Sequence, residues 1–292
     1  MAETNISLID LKALSQPAVK LIEAVSSAIG VLYEPTQIRR KAQAEADAAI
    51  IKSKGDIELQ KLALRASERI TNRELRRQRN IESIVVGALE HLPPSTSQDE
   101  VDEDWISQFF EHCQDVSSSE MQALWAKLLA GEFAQPGTYS RRTLNLVKLM
   151  SKDDAVMFTA FCGYVFRGEE FLFHVRTKQS DELLKSNGIS YRNLLNLQNV
   201  GLVESGEVEI YADKENPVAI SYFQQTYLLQ PIQPGGPDGR GIGTLILSKT
   251  GQELSSICGA ELNDEYITAL NKGLENLGLV IRPASEANAS YG

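Results

Sequence analysis

From Gln37 to Glu90 the chain contains no proline and no cluster of turn-forming residues, and Gly55 is the only interior breaker before Gly87. Such a stretch has few conformational choices. Ala42, Ala44, Ala46, Ala48 and Ala49 favour helix because alanine loses no side-chain freedom on ordering. Ile50, Ile57, Leu64 and Thr71 recur every seven residues, with Leu62, Ile70, Leu75, Ile81, Ile84, Val85 and Leu89 alongside. A continuous helix over this span would run roughly 80 Å, too long for one small domain to cover. The spacing therefore predicts a long helix over 36–92, entered through Thr36 as N-cap, that either folds back near Gly55 or packs against partner chains as a coiled coil. The expected partner is a second copy, making a homo-oligomer.

Charge sharpens the reading. The chain has 292 residues and a net charge of -10, from 29 Lys and Arg against 39 Asp and Glu. Residues 36–80 hold 12 of the basic and 6 of the acidic side chains, leaving 17 against 33 elsewhere. A basic segment is thus embedded in an acidic protein, which argues against a chain built mainly to coat nucleic acid. Within that segment Arg69, Arg73, Arg76, Arg77 and Arg79 form the strongest charge feature, and positions 69, 73, 76 and 80 share one helical face. No aromatic residue is interleaved for base stacking. A solvated or intersubunit salt-bridging face is the expected role, and nucleic-acid binding is the alternative. The acidic cluster Asp99, Glu100, Asp102, Glu103 and Asp104, beyond the linker, reads most simply as a solvated helix start, with contact to the basic segment of the same or another subunit as the alternative.

Ahead of the long helix, residues 1–35 read as amphipathic helices. Leu21, Ile22, Val25 and Ile29 form an apolar stripe opposite Lys20 and Glu23, and Pro17 suits a first helical turn. This stripe is expected to contact the chain's own core or a sister subunit, and a membrane surface is the alternative. The longest apolar run is far below the roughly 18 residues a spanning helix needs. Cys113, Cys162 and Cys258 make no disulfide framework, which favours a reducing, cytoplasmic setting, membrane-peripheral in the alternative reading.

The rest divides by composition. Residues 93–101, opening Pro93-Pro94-Ser95, form a linker. Residues 102–167 predict a compact helical domain, with Ser118, Ser119 and Glu120 capping one helix and Ser151 to Asp154 starting another. Residues 168–262 alternate between short helices and strands. A strand over Phe171–Val175, helices over 180–185 and 191–198, and strands over 222–229 and 244–247 give the layout of a winged-helix-like module. A helix over 263–282 and a tail over 283–292 complete the chain. The fold class is mainly α within α+β: a long N-terminal helix, a central helical domain and a C-terminal winged-helix-like domain.

Chemistry-bearing patterns are sparse. His91, His112 and His174 show no pair at ligand spacing, no nucleophile signature surrounds any cysteine, and no cofactor motif is present. Gly239-Arg240-Gly241-Ile242-Gly243 lacks the Gly-Lys-Ser/Thr ending of a phosphate loop and leads into a strand, so it reads as a wing tip from which Arg240 could touch a phosphate. The second helix of the module offers Arg192 as its one cation, with Asn193, Asn196 and Gln198 as candidate base readers. Glu204, Glu207 and Glu209 follow closely and would repel DNA.

Several phrases carry a family resemblance: Gln78-Arg79-Asn80-Ile81-Glu82-Ser83-Ile84, Asp104-Trp105-Ile106, Leu124-Trp125-Ala126-Lys127-Leu128-Leu129-Ala130-Gly131-Glu132, Ser140-Arg141-Arg142-Thr143, Gly201-Leu202-Val203 and Leu247-Ser248-Lys249-Thr250-Gly251-Gln252-Glu253-Leu254. On these the chain resembles the bacterial domain-of-unknown-function 2806 family over nearly its full length. Its central region is also similar to the Abi-alpha abortive-infection proteins, which implies a setting in phage defence. Neither resemblance supplies a catalytic residue. The expectation is a non-enzymatic, self-associating protein acting through contacts with itself and a further protein partner. Nucleic-acid binding through Arg69 to Arg79 and the winged-helix-like module, or membrane-surface action through residues 6–32, are the alternatives.

Overall fold

The computed structural model describes residues 15–29, 57–212, 217–232 and 240–287. The chain forms two compact units that divide between Lys148 and Leu149, ahead of the boundary expected at 167. The difference arises because the helix after Ser151 packs with the mixed α/β elements.

The first unit is helical: α1 (Gln16–Ile29), α2 (Ile57–His91), α3 (Glu103–Cys113), α4 (Ser119–Ala134) and α5 (Arg141–Leu149), whose last residue opens the second unit. Its local starts follow side-chain chemistry. Asp102 caps α3 by accepting from the Trp105 amide, and Ser118 caps α4 by accepting from that of Met121. The core gathers Phe109, Trp125, Leu128 and Leu129, with Ile84, Val85 and Ala88 from the last turns of α2 and Leu21 and Val25 from α1. Trp105 stacks on Phe109, and Phe109 meets Trp125 edge-on. The fold-back considered at Gly55 lies outside the described residues.

The second unit is mixed: α6 (Lys152–Cys162), β1 (Phe166–Arg167), β2 (Leu172–Val175), α7 (Lys178–Ser186), α8 (Tyr191–Val200), β3 (Val203–Ala212), β4 (Val218–Tyr222), β5 (Gln225–Pro231), β6 (Arg240–Leu247), α9 (Lys249–Ser255), α10 (Tyr266–Glu275), β7 (Leu279–Pro283) and α11 (Ala284–Ala287). The strands form one seven-stranded sheet in the order β3-β6-β2-β1-β4-β5-β7. Every neighbouring pair is antiparallel. Ser151 with Asp154 and Ser190 with Asn193 form capping boxes that start α6 and α8.

Three sequence expectations change here. The strand expected over 222–229 is a hairpin, β4 and β5, that turns at Phe223 with φ of 53° and pairs Tyr222 with Gln225. Phe223-Gln224 carries none of the Asn-Gly chemistry that marks such a turn in sequence. Strand β3 takes up residues read only for their acidity, and its pairing with β6 over Glu207–Ala212 places them at a sheet edge. The expected helix over 263–282 ends at Glu275. Gly278, at φ of 69°, then turns the chain into β7, which pairs with β5 through Tyr227–Pro231.

Candidate interaction surface

Helix α2 is two helices in physical terms. Asn80, Ile81, Ile84, Val85 and Ala88 are buried, mainly against α4. Its first six turns differ: Ile57 is 71% exposed, and Leu59, Leu62, Leu64 and Ile70 are 38–55% exposed. At about 100° per residue, Ile57 and Leu64 lie on one side, and Leu59, Leu62 and Ile70 on the other. Ile57, Leu62, Leu64 and Ile70 follow helical spacing in the sequence; the exposure of these and of Leu59 on two sides of one rod is what the structure adds.

The arginines follow. Arg77 donates from Nε to Asp115 Oδ1 at 3.0 Å and from Nη2 to Oδ2 at 2.8 Å, and Arg76 Nη2 reaches the same carboxylate at 3.2 Å. Arg77 and Arg73 also meet Glu74. Hydrogen bonds from Arg77 hold the Asp115 carboxyl below its ordinary pKa, and the bond to Asp115 raises that of Arg77. Asn80, the fourth member of the expected face, is buried and donates to the Gln114 carbonyl at 2.9 Å. Arg69 and Arg79 are exposed. Arg73, Arg76 and Arg77 pair with Glu74 and Asp115, which lie outside the acidic cluster. Asp102 and Asp104 pair with Arg141, at 3.0 and 2.8 Å, and Lys20 donates to the Asp99 carbonyl at 2.7 Å. Asp115 was missed because it lies 38 residues from Arg77 and outside the acidic run.

The N-terminal stripe meets the chain's own core. Leu21, Ile22 and Val25 are buried inside the first unit, where α1 packs on α3 and α4. Ile29, at the end of α1, is half-buried. Among the described residues no helix is long and apolar enough to cross a membrane.

In the second unit Arg192 is exposed on α8, and Arg240 opens β6. The three candidate base readers on α8 are already engaged. Asn193 accepts from the Ser190 amide at 2.9 Å, Asn196 donates to Asp154 at 2.6 Å, and Gln198 donates to the Glu204 carbonyl at 3.0 Å. His174, which sequence reasoning set aside, is fully buried. Its Nδ1 lies 3.0 Å from the Tyr164 carbonyl and 2.9 Å from the Tyr266 hydroxyl, and its ring stacks on Tyr266. Its Nε2 is buried without a hydrogen-bond partner, and burial lowers its pKa to about 4. Among the described residues no group of three or more His, Cys, Asp and Glu could hold a metal ion.

The motifs that carried the family resemblance prove to touch one another. Glu132, only 2% exposed, accepts from the Gly137 amide at 2.6 Å and the Tyr139 amide at 2.9 Å. Trp105 Nε1 donates to the Tyr139 carbonyl at 2.7 Å, and Arg141 answers Asp102 and Asp104. The Trp-Ala-Lys-Leu-Leu-Ala-Gly-Glu run, the Asp-Trp-Ile run and the Ser-Arg-Arg-Thr run therefore close around one turn, 135–140. In the second unit the Gly201-Leu202-Val203 run meets the Ser248-Lys249-Thr250-Gly251 run. Ser248 donates from N to the Leu202 carbonyl and from Oγ to that of Gly201, at 3.0 and 2.6 Å.

These features define an α+β protein whose motifs build its fold and whose unusual groups lie on a helical arm. The chain belongs to the family described as Protein of unknown function (DUF2806), whose model matches residues 64–271. No curated protein and no solved structure matches it.

Proposed function

We propose that this chain is a non-enzymatic protein that self-associates through the first six turns of α2 and works through protein–protein contacts. The observation that carries the reading is the exposure of Ile57, Leu59, Leu62, Leu64 and Ile70 on both sides of that arm. Covering each such side chain contributes roughly 1.5–3 kcal/mol. An arm with apolar residues on two sides suits a bundle of copies better than a single groove. The ion pairs of Arg73, Arg76 and Arg77 with Glu74 and Asp115 support a protein-facing role, because they neutralise charge that nucleic acid would need.

The second unit fits the same reading as a winged-helix-like module. Helices α6, α7 and α8 with strands β2, β3 and β6 occur in the order of such a module, and the strand neighbours run β3-β6-β2. The engaged amides of α8 favour a protein-contacting use of it. A cytoplasmic setting, favoured by the sparse cysteines, and a role in phage defence, which the sequence resemblance to Abi-alpha proteins would imply, complete the proposal.

Light scattering of the full-length protein tests the central claim. A mass at a whole multiple of 32.2 kDa is expected, falling toward the monomer in the combined Ile57→Asp, Leu59→Asp, Leu62→Asp, Leu64→Asp variant at unchanged helix content. A wild-type monomer at tens of micromolar overturns it. Nucleic-acid binding has in its favour the exposed Arg69 and Arg79. Retention of DNA or RNA at low salt, lost on Arg69→Ala with Arg79→Ala, would replace the first reading.

A further inference from the structure

Cys162 and Cys258 are 96 positions apart in the sequence, and the fold brings the segments that carry them side by side, so that the Cys258 thiol raises the pKa of Cys162. Cys162 is the last residue of α6; Cys258 lies in the turn after α9, where its amide donates to the Leu254 carbonyl at 3.0 Å. Three neighbours pin the two segments together. Thr159, one turn before Cys162, donates from Oγ1 to the Cys258 carbonyl at 3.3 Å. A Cβ on Gly163 would sit 2.7 Å from the Glu261 carbonyl oxygen, so the two backbones meet where no side chain fits. The Tyr222 hydroxyl donates to the Gly163 carbonyl at 2.6 Å and accepts from the Asn263 amide at 2.9 Å, bridging both strands of chain from a third element.

Access is available from two directions. Cys258 is half-buried, and Cys162 lines a pocket of about 280 Å³ together with Arg167, Ser221, Phe223, Ser255 and Ser256. That volume admits a small oxidant. The third cysteine stands apart from this pair. Cys113 lies in the first unit, is fully buried, and burial pushes its thiol far above the ordinary value.

We propose that Cys162 and Cys258 are a redox-active dithiol that closes to an intramolecular disulfide under peroxide. The Cys258 thiolate attacks one oxygen of hydrogen peroxide. This breaks the O–O bond, releases one water after protonation and leaves a sulfenic acid on Cys258. The Cys162 sulfur then attacks the Cys258 sulfur, its proton leaves with the hydroxyl as a second water, and the S–S bond forms. Both thiols are oxidised, and the peroxide is reduced by two electrons. The order follows from exposure, since Cys258 is half-buried, while burial and the neighbouring thiol both favour the protonated form of the buried Cys162. The disulfide would join the end of α6 to the segment after α9 covalently.

The test uses the reduced full-length chain, exposed to hydrogen peroxide, alkylated, denatured and mapped without reductant. Titratable thiols are expected to fall from three to one, with a linked Cys162–Cys258 peptide that dithiothreitol separates. Cys113→Ser should leave that peptide unchanged, and Cys258→Ser should abolish it. A count that stays at three overturns the proposal. So does a sulfinic acid on Cys258 without the linked peptide, or a link through Cys113 between chains. The wild-type map decides these outcomes whether or not the Cys258→Ser variant folds.

Discussion

Arg77 and Asp115 form a two-pronged ion pair, Nε to Oδ1 at 3.0 Å and Nη2 to Oδ2 at 2.8 Å, that ties the middle of α2 to the turn after α3. The geometry is the favourable parallel one, but the carboxylate side chain is 47% exposed, so solvent screens the pair. Asp115→Ala is expected to cost about 0.5–1 kcal/mol in urea denaturation, and the loss should shrink at high salt. The Asp115 carboxyl is held below its ordinary pKa of 3.8. Its contribution is therefore present above that value and disappears as pH falls through the lower folded value.

Glu132 is the buried hinge pin of the 135–140 turn. Glu132→Ala leaves the Gly137 and Tyr139 amides without their acceptor, which should cost roughly 2–4 kcal/mol. Glu132→Gln should not restore stability, because one end of the amide would set a donor against a donor. Chemical denaturation of the three proteins separates these outcomes, and a Gln variant at wild-type stability would refute the account.

Gly251 of α9 lies against the Leu202 carbonyl oxygen so closely that a Cβ would overlap it. Gly251→Ala must push α9 away from the start of β3. A loss of about 1–3 kcal/mol is expected. Amide exchange should accelerate first at Ser248, whose amide bonds the same carbonyl.

His174 links stability to acid. Its pKa is lowered to about 4 in the folded chain from an ordinary 6.5, so between those values the unfolded chain binds the proton and the folded one does not. Stability contributed by the neutral ring is complete above 6.5 and is lost as pH falls toward 4, by an amount on the order of 3 kcal/mol. Thermal unfolding of the second unit should drop over that window, and a His174→Phe variant should flatten the drop.

How far the sequence was legible depends on the range of the interaction. The starts of α4 and α6 were readable because Ser118 and Ser151 accept from amides three residues away. The helical course of Ile57–His91 was readable because nothing in it breaks a helix. The β4–β5 hairpin was not, since its turn places Phe223 at a positive φ without the Asn-Gly or Asp-Gly chemistry that marks such turns. Strand β7 was not, because a short run after a glycine becomes a strand only when β5 is there to pair with it.

The sequence by itself determined the long helix, the caps of α4 and α6, the basic segment and the family. Tertiary structure alone decided that Leu21, Ile22 and Val25 face the protein's own core, that Asp115 rather than the acidic cluster meets Arg76 and Arg77, and that the end of α6 meets the Cys258 segment. The reason is distance along the chain. Capping and periodicity act within about four residues, where the backbone dictates who meets whom. Partners dozens of residues apart are chosen by how whole elements pack, which no local pattern encodes.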